Sequence, residues 1–544
     1  MTPRIARTIV IAAAAVAVLA AVGGRGDPQG RAGEPEDPQG RGSERELVLR
    51  YLYSPDAEEL LVPLIDRFNR ETHRFRGREI RIEGVTLTSG EAETALAARR
   101  DEAVLWTPAS SLWGRLLNHN VSAEWVPAEN PSLVSSPQVI AMWEPLARAL
   151  GWPQAKIGWS DILALATSSR GWAAYGHPEY GPFKLGHTNP DFSTSGLSAV
   201  ASEYYAVTGK QSGLSLADVR RPDVRAAVRT IERSIVHYGE TAEALTDQMD
   251  RYGQAYAHAV YVQETTVREF NEQRTQATPL VAIEPADGTF VADYPLIALD
   301  VPWADADSRA AAEAFRRWLV PKITAKAAGQ SGFRIRRPTG LAELELPEPE
   351  VLAAIRAAWH EDRKPANIVL VVDTSSSMGE AGRLDAAKQG LLSFLRELSP
   401  EDRVALVTSG ASIKTNVRLG VPSESRPAVS RAVSALFPNG DAPVYSAVAR
   451  ALDDVRALRD PDRINAVVVL SDGAGTSAGL EELLQAIAAE PVTEGTSVRI
   501  FTVGYRGSAD AVALRQIASA SGGAFFPGSP RDIKDVYRTI SSYF

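Results

Sequence analysis

Ile368-Val369-Leu370-Val371-Val372-Asp373-Thr374-Ser375-Ser376-Ser377-Met378 decides how the last third of the chain folds. An apolar run rich in β-branched residues reads as a strand buried on both faces. It stops at an aspartate and a string of hydroxyls. A helical period follows at Ala386, Leu391, Leu392 and Leu395. The strand pattern returns at Val404–Thr408, Ala466–Leu470 and Val498–Val503, with helical stretches between. Strands alternating with helices predict a doubly wound, Rossmann-like α/β sheet, whose ligands gather at the carboxyl ends of the strands. A second such end carries Ser471-Asp472-Gly473.

Asp-x-Ser-x-Ser at one strand end, with a second Asp at the end of a later strand, resembles the von Willebrand factor A domain. The likeness extends through Phe501–Tyr505, Leu514–Ala518 and Gly522-Gly523, and covers 364–544. It implies a divalent cation, Mg²⁺ or Mn²⁺, held by hard oxygen ligands with a protein partner's carboxylate completing the shell. The positions that match the family's ligands are Asp373, Ser375, Ser377 and Asp472. The family's threonine is missing: Gly440-Asp441-Ala442-Pro443 puts Ala442 in its place, with Asp441 beside it. A site with an extra water, a site rebuilt through Asp441 and a site without metal all stay open. So does plain helix capping by Asp373 and the serines.

Working toward the amino terminus, residues 45–340 show the same alternation. Leu47–Tyr53, Ile80–Leu87 and Ala103–Trp106 read as strands, each followed by a polar turn (Ser54-Pro55, Thr88-Ser89-Gly90, Thr107-Pro108) and a helix. These turns, with Ser136–Met142, Gly186–Gly196 and Ile283–Phe290, resemble the bacterial extracellular solute-binding proteins of the type 2 periplasmic-binding kind. The resemblance implies two α/β lobes closing over a small solute. The lobes are expected at 45–135 plus 284–340 and at 136–283, the chain crossing near Ser135 and Ile283. Ser193-Thr194-Ser195-Gly196 precedes an apolar helix, and hydroxyls with free N–H groups at a helix start favour an anion. Ser54 and Ser89 offer the same chemistry from the other lobe. An oxyanion or carboxylate solute is the expectation, with capping again the alternative. Trp106, Trp159, Trp172 and Tyr175 are candidates for cleft or core. The acidic, Pro-bearing stretch 341–363 reads as a linker with a short helix at Val351–His360, so the two halves are expected to fold separately.

The remaining features bound the function. The chain has 544 residues, no cysteine and a net charge of −9, which excludes disulfide scaffolds and thiol chemistry and argues against nucleic-acid binding. Arg4 and Arg7 before the apolar run Thr8–Val22 predict a signal peptide or signal anchor at 1–22, and hence an extracytoplasmic protein touching membrane only there. Residues 23–44 form a Gly/Pro/Glu/Arg linker of disordered composition. Gly475–Gly479 matches a Gly-x-Ser-x-Gly elbow, but no histidine follows it, and no His-Glu-x-x-His or phosphate-loop motif occurs. The reading is a non-enzymatic exported binding protein for a small solute and a protein partner. The alternative is an adhesion or assembly protein whose first domain is an empty scaffold.

Overall fold

A computed structural model describes residues 46–441, 443–473, 479–489, 498–505, 511–541 and 543–544. The expected signal, the linker at 23–44, Ala442 and most of the Gly475–Gly479 motif lie outside the described residues. Three sheets organise the rest.

In the first lobe, Glu46–Tyr53 is flanked by the parallel strands Arg78–Thr86 and Leu105–Thr107, with short antiparallel strands at both edges. The helix Glu58–Arg70 covers this sheet with Leu60, Leu61, Ile65 and Phe68. In the second lobe, Leu185–Thr188 lies between Ile235–Gly239 and Ala259–Gln263, all parallel. Ser136–Trp143 joins this sheet antiparallel. The chain enters this second sheet at Ser136. The return falls later than Ile283: Val291–Ala292 still pairs with Ser136–Pro137, and Ile297–Ala298 is the first segment in the other sheet.

The third sheet has the order Ile413–Val417, Arg403–Ser409, Ala366–Asp373, Ile464–Ser471, Val498–Tyr505 and Phe525–Gly528. It is parallel except for the hairpin at its first edge. All eight residues of Ala366–Asp373 are buried. Strand alternation sends Val369 and Val371 into one layer with Val448, Leu452, Leu483 and Ile517. Ile368, Leu370 and Val372 go into the other, with Leu391, Phe394 and Tyr537. This explains why the deciding stretch is apolar at every position and not at alternate ones.

The stretch at 341–363 is no loose linker. Its helix, Pro349–Asp362, packs on the helix Leu112–Val121 of the first lobe and on Thr194–Thr208, Leu216–Arg220 and Pro222–Ser234 of the second. Val351, Leu352, Ile355 and Trp359 are buried, the four that its helical period singles out. The apolar core then continues without a break into the third sheet. Buried Asp362 takes Arg225 at 2.6 Å and Arg229 at 2.7 Å, while Arg233 meets Glu401 at 2.8 Å. Residues 45–544 thus form one compact unit. The Pro/Glu composition signalled a linker because sequence cannot show that both faces of the helix find neighbours.

Candidate functional site

The carboxyl ends of Ala366–Asp373 and Ile464–Ser471 lie side by side, which brings together four of the five metal-site residues expected from sequence. Asp373 accepts the Ser375 backbone N–H at 2.8 Å and the Ser471 hydroxyl at 2.6 Å. Ser375 Oγ lies 2.9 Å from Ser377 Oγ, and Ser377 Oγ donates to Asp472 Oδ1 at 3.1 Å. Burial pushes the Asp373 carboxyl up from its ordinary range, and the charge of Asp472 adds to the effect. Asp441 is exposed, and among the described residues no hydrogen bond ties it to the cluster. Its neighbour Gly440 instead accepts the Ser376 N–H at 2.9 Å through its carbonyl.

Sequence reasoning passed over Arg383. It opens the helix Arg383–Glu397 and places Nη1 2.9 Å from Asp472 Oδ2. Two neighbouring carboxylates need a cation between them, and this guanidinium already supplies one positive charge. Nothing in the sequence marks it, because it follows the Asp-x-Ser-x-Ser motif at no motif position. The remaining donors are carboxylate and hydroxyl oxygens, so the residues present fit a hard divalent cation.

Between the lobes the hydroxyls expected to cradle an anion are in part engaged, some within their own lobe and Thr194 across to the other. Ser89 Oγ accepts the Ala109 N–H at 3.0 Å and faces Thr194 Oγ1 at 3.5 Å. Trp113 Nε1 donates to Thr194 Oγ1 at 2.8 Å, and Gly90 N–H donates to the Phe192 carbonyl at 2.9 Å. Ser54 Oγ donates to Asp56 at 2.7 Å. Ser193 sits at the helix start without a side-chain cap bond, Ser195 is buried, and Gly196 lies against the Thr188 carbonyl. The cap at the Ser89 turn is Thr88, in a reciprocal box with Glu91. Arg356 of the Pro349–Asp362 helix stands over the Trp113 ring, but it is engaged with Asp191 at 3.1 Å and Glu93 at 3.9 Å. Trp106, Trp159 and Trp172 are core, while Tyr175 is exposed.

Carboxylates also meet across the lobes. Burial first and the charge of Asp56 second push Glu243 up to about 8; burial and Glu91 push Glu240 up to about 7. A folded-state pKa above the ordinary 4.5 means the native chain holds its proton more tightly than the unfolded one. Stability therefore falls as pH rises from the ordinary value through the folded value. Melting temperatures measured across that window should decline less steeply in Glu243→Gln than in the parent; parallel curves would show that Glu243 titrates normally. Buried polar atoms without a protein partner include Trp106 Nε1, Thr188 Oγ1 and both amide atoms of Gln138.

Residues 49–334 match the model for bacterial extracellular solute-binding proteins, and 367–539 match the von Willebrand factor type A domain. The first match spans more than half of the chain, and the protein belongs to the bacterial extracellular solute-binding family, with a von Willebrand factor A domain behind that module. Its curated relatives include an uncharacterized protein of Mycobacterium tuberculosis, seen in two strains, 24% identical over 452 residues and 77% of this chain. The alignment covers 64% of that relative's length, so this chain spans less than two thirds of the relatives it matches. Among solved structures, the sulfate-binding protein SubI of M. tuberculosis H37Rv is 17% identical, covering 57% of this chain and 90% of its own at a TM-score of 0.35. A periplasmic thiamin binding protein is 13% identical, covering 59% and 96% at 0.40. A von Willebrand factor type A protein from Catenulispora acidiphila is 22% identical, covering 33% and 42% at 0.29. Among the described residues, no helix is long and apolar enough to cross a membrane.

Proposed function

We propose that this is an exported, non-catalytic binding protein that recognises a protein partner at the carboxyl end of its third sheet. The observation that carries the reading is the chain of oxygens from Ser375 Oγ through Ser377 Oγ to Asp472 Oδ1 beside Asp373. Such a set suits Mg²⁺ or Mn²⁺, which would neutralise the two aspartates and leave a position for a partner's carboxylate. Arg383 competes with that cation for Asp472. Calorimetric titration of the chain from residue 45 onward with Mn²⁺ tests this. Weak binding is expected, lost in Asp472→Asn, and tightened several-fold both in Arg383→Gln and in Ala442→Thr, which restores the family's threonine. Heat of binding in none of these proteins would end the metal reading and move partner recognition to another surface.

For the first domain the family supports a small solute between the lobes. The partnerless Gln138 amide and Trp106 indole N–H favour a polar ligand. Asp56 and Glu243, with Arg356 already paired, favour an uncharged or cationic one over the oxyanion or carboxylate that the serines alone suggested. A thermal-shift panel of sugars, amines, sulfate and phosphate separates these, because a ligand of the native state stabilises it by RT ln(1 + [L]/Kd). A shift with sulfate or phosphate alone would restore the anion reading. No shift with any solute would favour the other view, an adhesion or assembly protein whose closed lobes are a scaffold.

A further inference from the structure

Away from both sites, three potential metal ligands converge inside the second lobe. His187 lies on the strand Leu185–Thr188, Glu203 in the helix Thr194–Thr208 and Glu232 in the helix Pro222–Ser234. Their ligand atoms all fall within 4.8 Å of one another, and the side chains are 1%, 0% and 0% exposed.

The hydrogen bonds around the cluster leave acceptors facing acceptors. His187 Nδ1 is 2.7 Å from the Thr188 carbonyl, which can only accept, so the ring proton sits on Nδ1. In the neutral imidazole Nε2 then presents a lone pair, and it points at Glu232 Oε1, 3.2 Å away. The other oxygen, Glu232 Oε2, takes both available donors: the Tyr238 hydroxyl at 2.7 Å and Trp359 Nε1 at 2.9 Å. That fixes the carboxylate and leaves Oε1 turned to His187 and Glu203. Both Glu203 carboxylate oxygens are buried and without a hydrogen-bond partner. Buried lone pairs converging in this way require something positive between them.

We infer that His187, Glu203 and Glu232 form a structural site for a first-row divalent cation, with Zn²⁺ the best fit. Imidazole nitrogen and carboxylate oxygen are both donors that Zn²⁺ takes, at about 2.0–2.2 Å; here His187 Nε2 and Glu232 Oε1 stand 3.2 Å apart and all three ligand atoms lie within 4.8 Å of one another. The Nδ1–H to carbonyl bond and the donors on Glu232 are the outer-shell contacts that orient such ligands. The set is chemically distinct from the oxygen-only cluster at Asp373. Its consequence is mechanical. The Glu232 carboxylate ties its own helix and the strands of His187 and Tyr238 to Trp359 of the Pro349–Asp362 helix; a cation that also takes Glu203 would add the helix Thr194–Thr208 and brace the joint between the solute-binding module and the von Willebrand factor A domain.

The test uses the full chain in an Asp373→Asn background, so that a cation at the third sheet does not count. Elemental analysis after chelator-free purification and a zinc soak should find about one equivalent of zinc. Dialysis against a strong chelator should lower the melting temperature, and zinc should restore it. Co²⁺ in its place should give the visible bands of a four-coordinate N/O site. Glu203→Gln, nearly the same shape, should lose the metal and melt as the chelated parent does. The opposing explanation is that protons occupy the cluster. It predicts no retained zinc, no cobalt bands and a Glu203→Gln variant at least as stable as its parent, and that outcome overturns the inference. If Glu203→Gln fails to fold, zinc content and the cobalt spectrum of the unsubstituted cluster still decide.

Discussion

Trp359→Ala should destabilise residues 45–544 by about 3–5 kcal/mol, the usual scale for deleting a fully buried large aromatic. Trp359 is 1% exposed. Its ring meets Tyr238 edge-on at 5.4 Å, and the Arg363 guanidinium lies 5.7 Å from the ring centroid. Truncation leaves a cavity where the two modules join, and it also takes one of two donors from the buried Glu232 Oε2. Because the core is continuous across the joint, the loss should lower one cooperative transition and not detach a module. Trp359→Phe, which restores most of the packing but not the N–H, should fall between. Urea unfolding followed by far-UV circular dichroism measures both. A change below about 1 kcal/mol, the size of a typical substitution, or two separate transitions in the parent, would contradict a shared core.

Gly90→Ala should pry the lobes apart. The added Cβ would stand 1.9 Å from the Asp191 carbonyl oxygen, 2.7 Å from its carbon and 2.8 Å from Phe192 Cα, all backbone atoms of the opposite lobe. No rotamer change relieves a clash with backbone. Overpacking of this kind costs about 1–3 kcal/mol or more. It also acts where Gly90 N–H donates across the lobes and where Asp191 is gripped by Arg356 and by His360 at 2.9 Å. Small-angle scattering should show a larger radius of gyration for the variant and a lower melting point. Gly329→Ala is the control: it is helical, and an added Cβ there meets nothing within 4 Å. An unchanged scattering curve for Gly90→Ala would mean that this contact does not hold the lobes closed. Gly196→Val would likewise report on folding and not on ligand approach, because its Cβ would lie 2.1 Å from the Thr188 carbonyl oxygen.

Much of the architecture was legible because it depends on local pattern. Strand-turn-helix repeats announce parallel sheets whatever their neighbours, and an all-apolar strand must be covered on both faces. Asp373, Ser375, Ser377 and Asp472 were readable as one constellation because strand ends in such a sheet are brought side by side by topology alone. The return crossing was placed too early because Val291–Ala292 is a two-residue strand, too short to leave a period.

What the sequence determined by itself is thus the two modules, their order, their sheets and the metal-type motif at the third sheet. Contacts between distant residues were decided only by the tertiary structure. Asp472 acquires Arg383 from another element, the Thr194 hydroxyl is taken by Trp113 of the opposite lobe, and the Ser89 hydroxyl by the Ala109 N–H of its own. His187, Glu203 and Glu232 converge from one strand and two helices that share no motif. A hydroxyl or carboxylate has the same appearance in a sequence whether its partner is a ligand, a cation or another part of the chain; only packing in three dimensions chooses among them, because hydrogen bonds and charges act over a few ångströms while the residues that supply them are separated by tens or hundreds of positions.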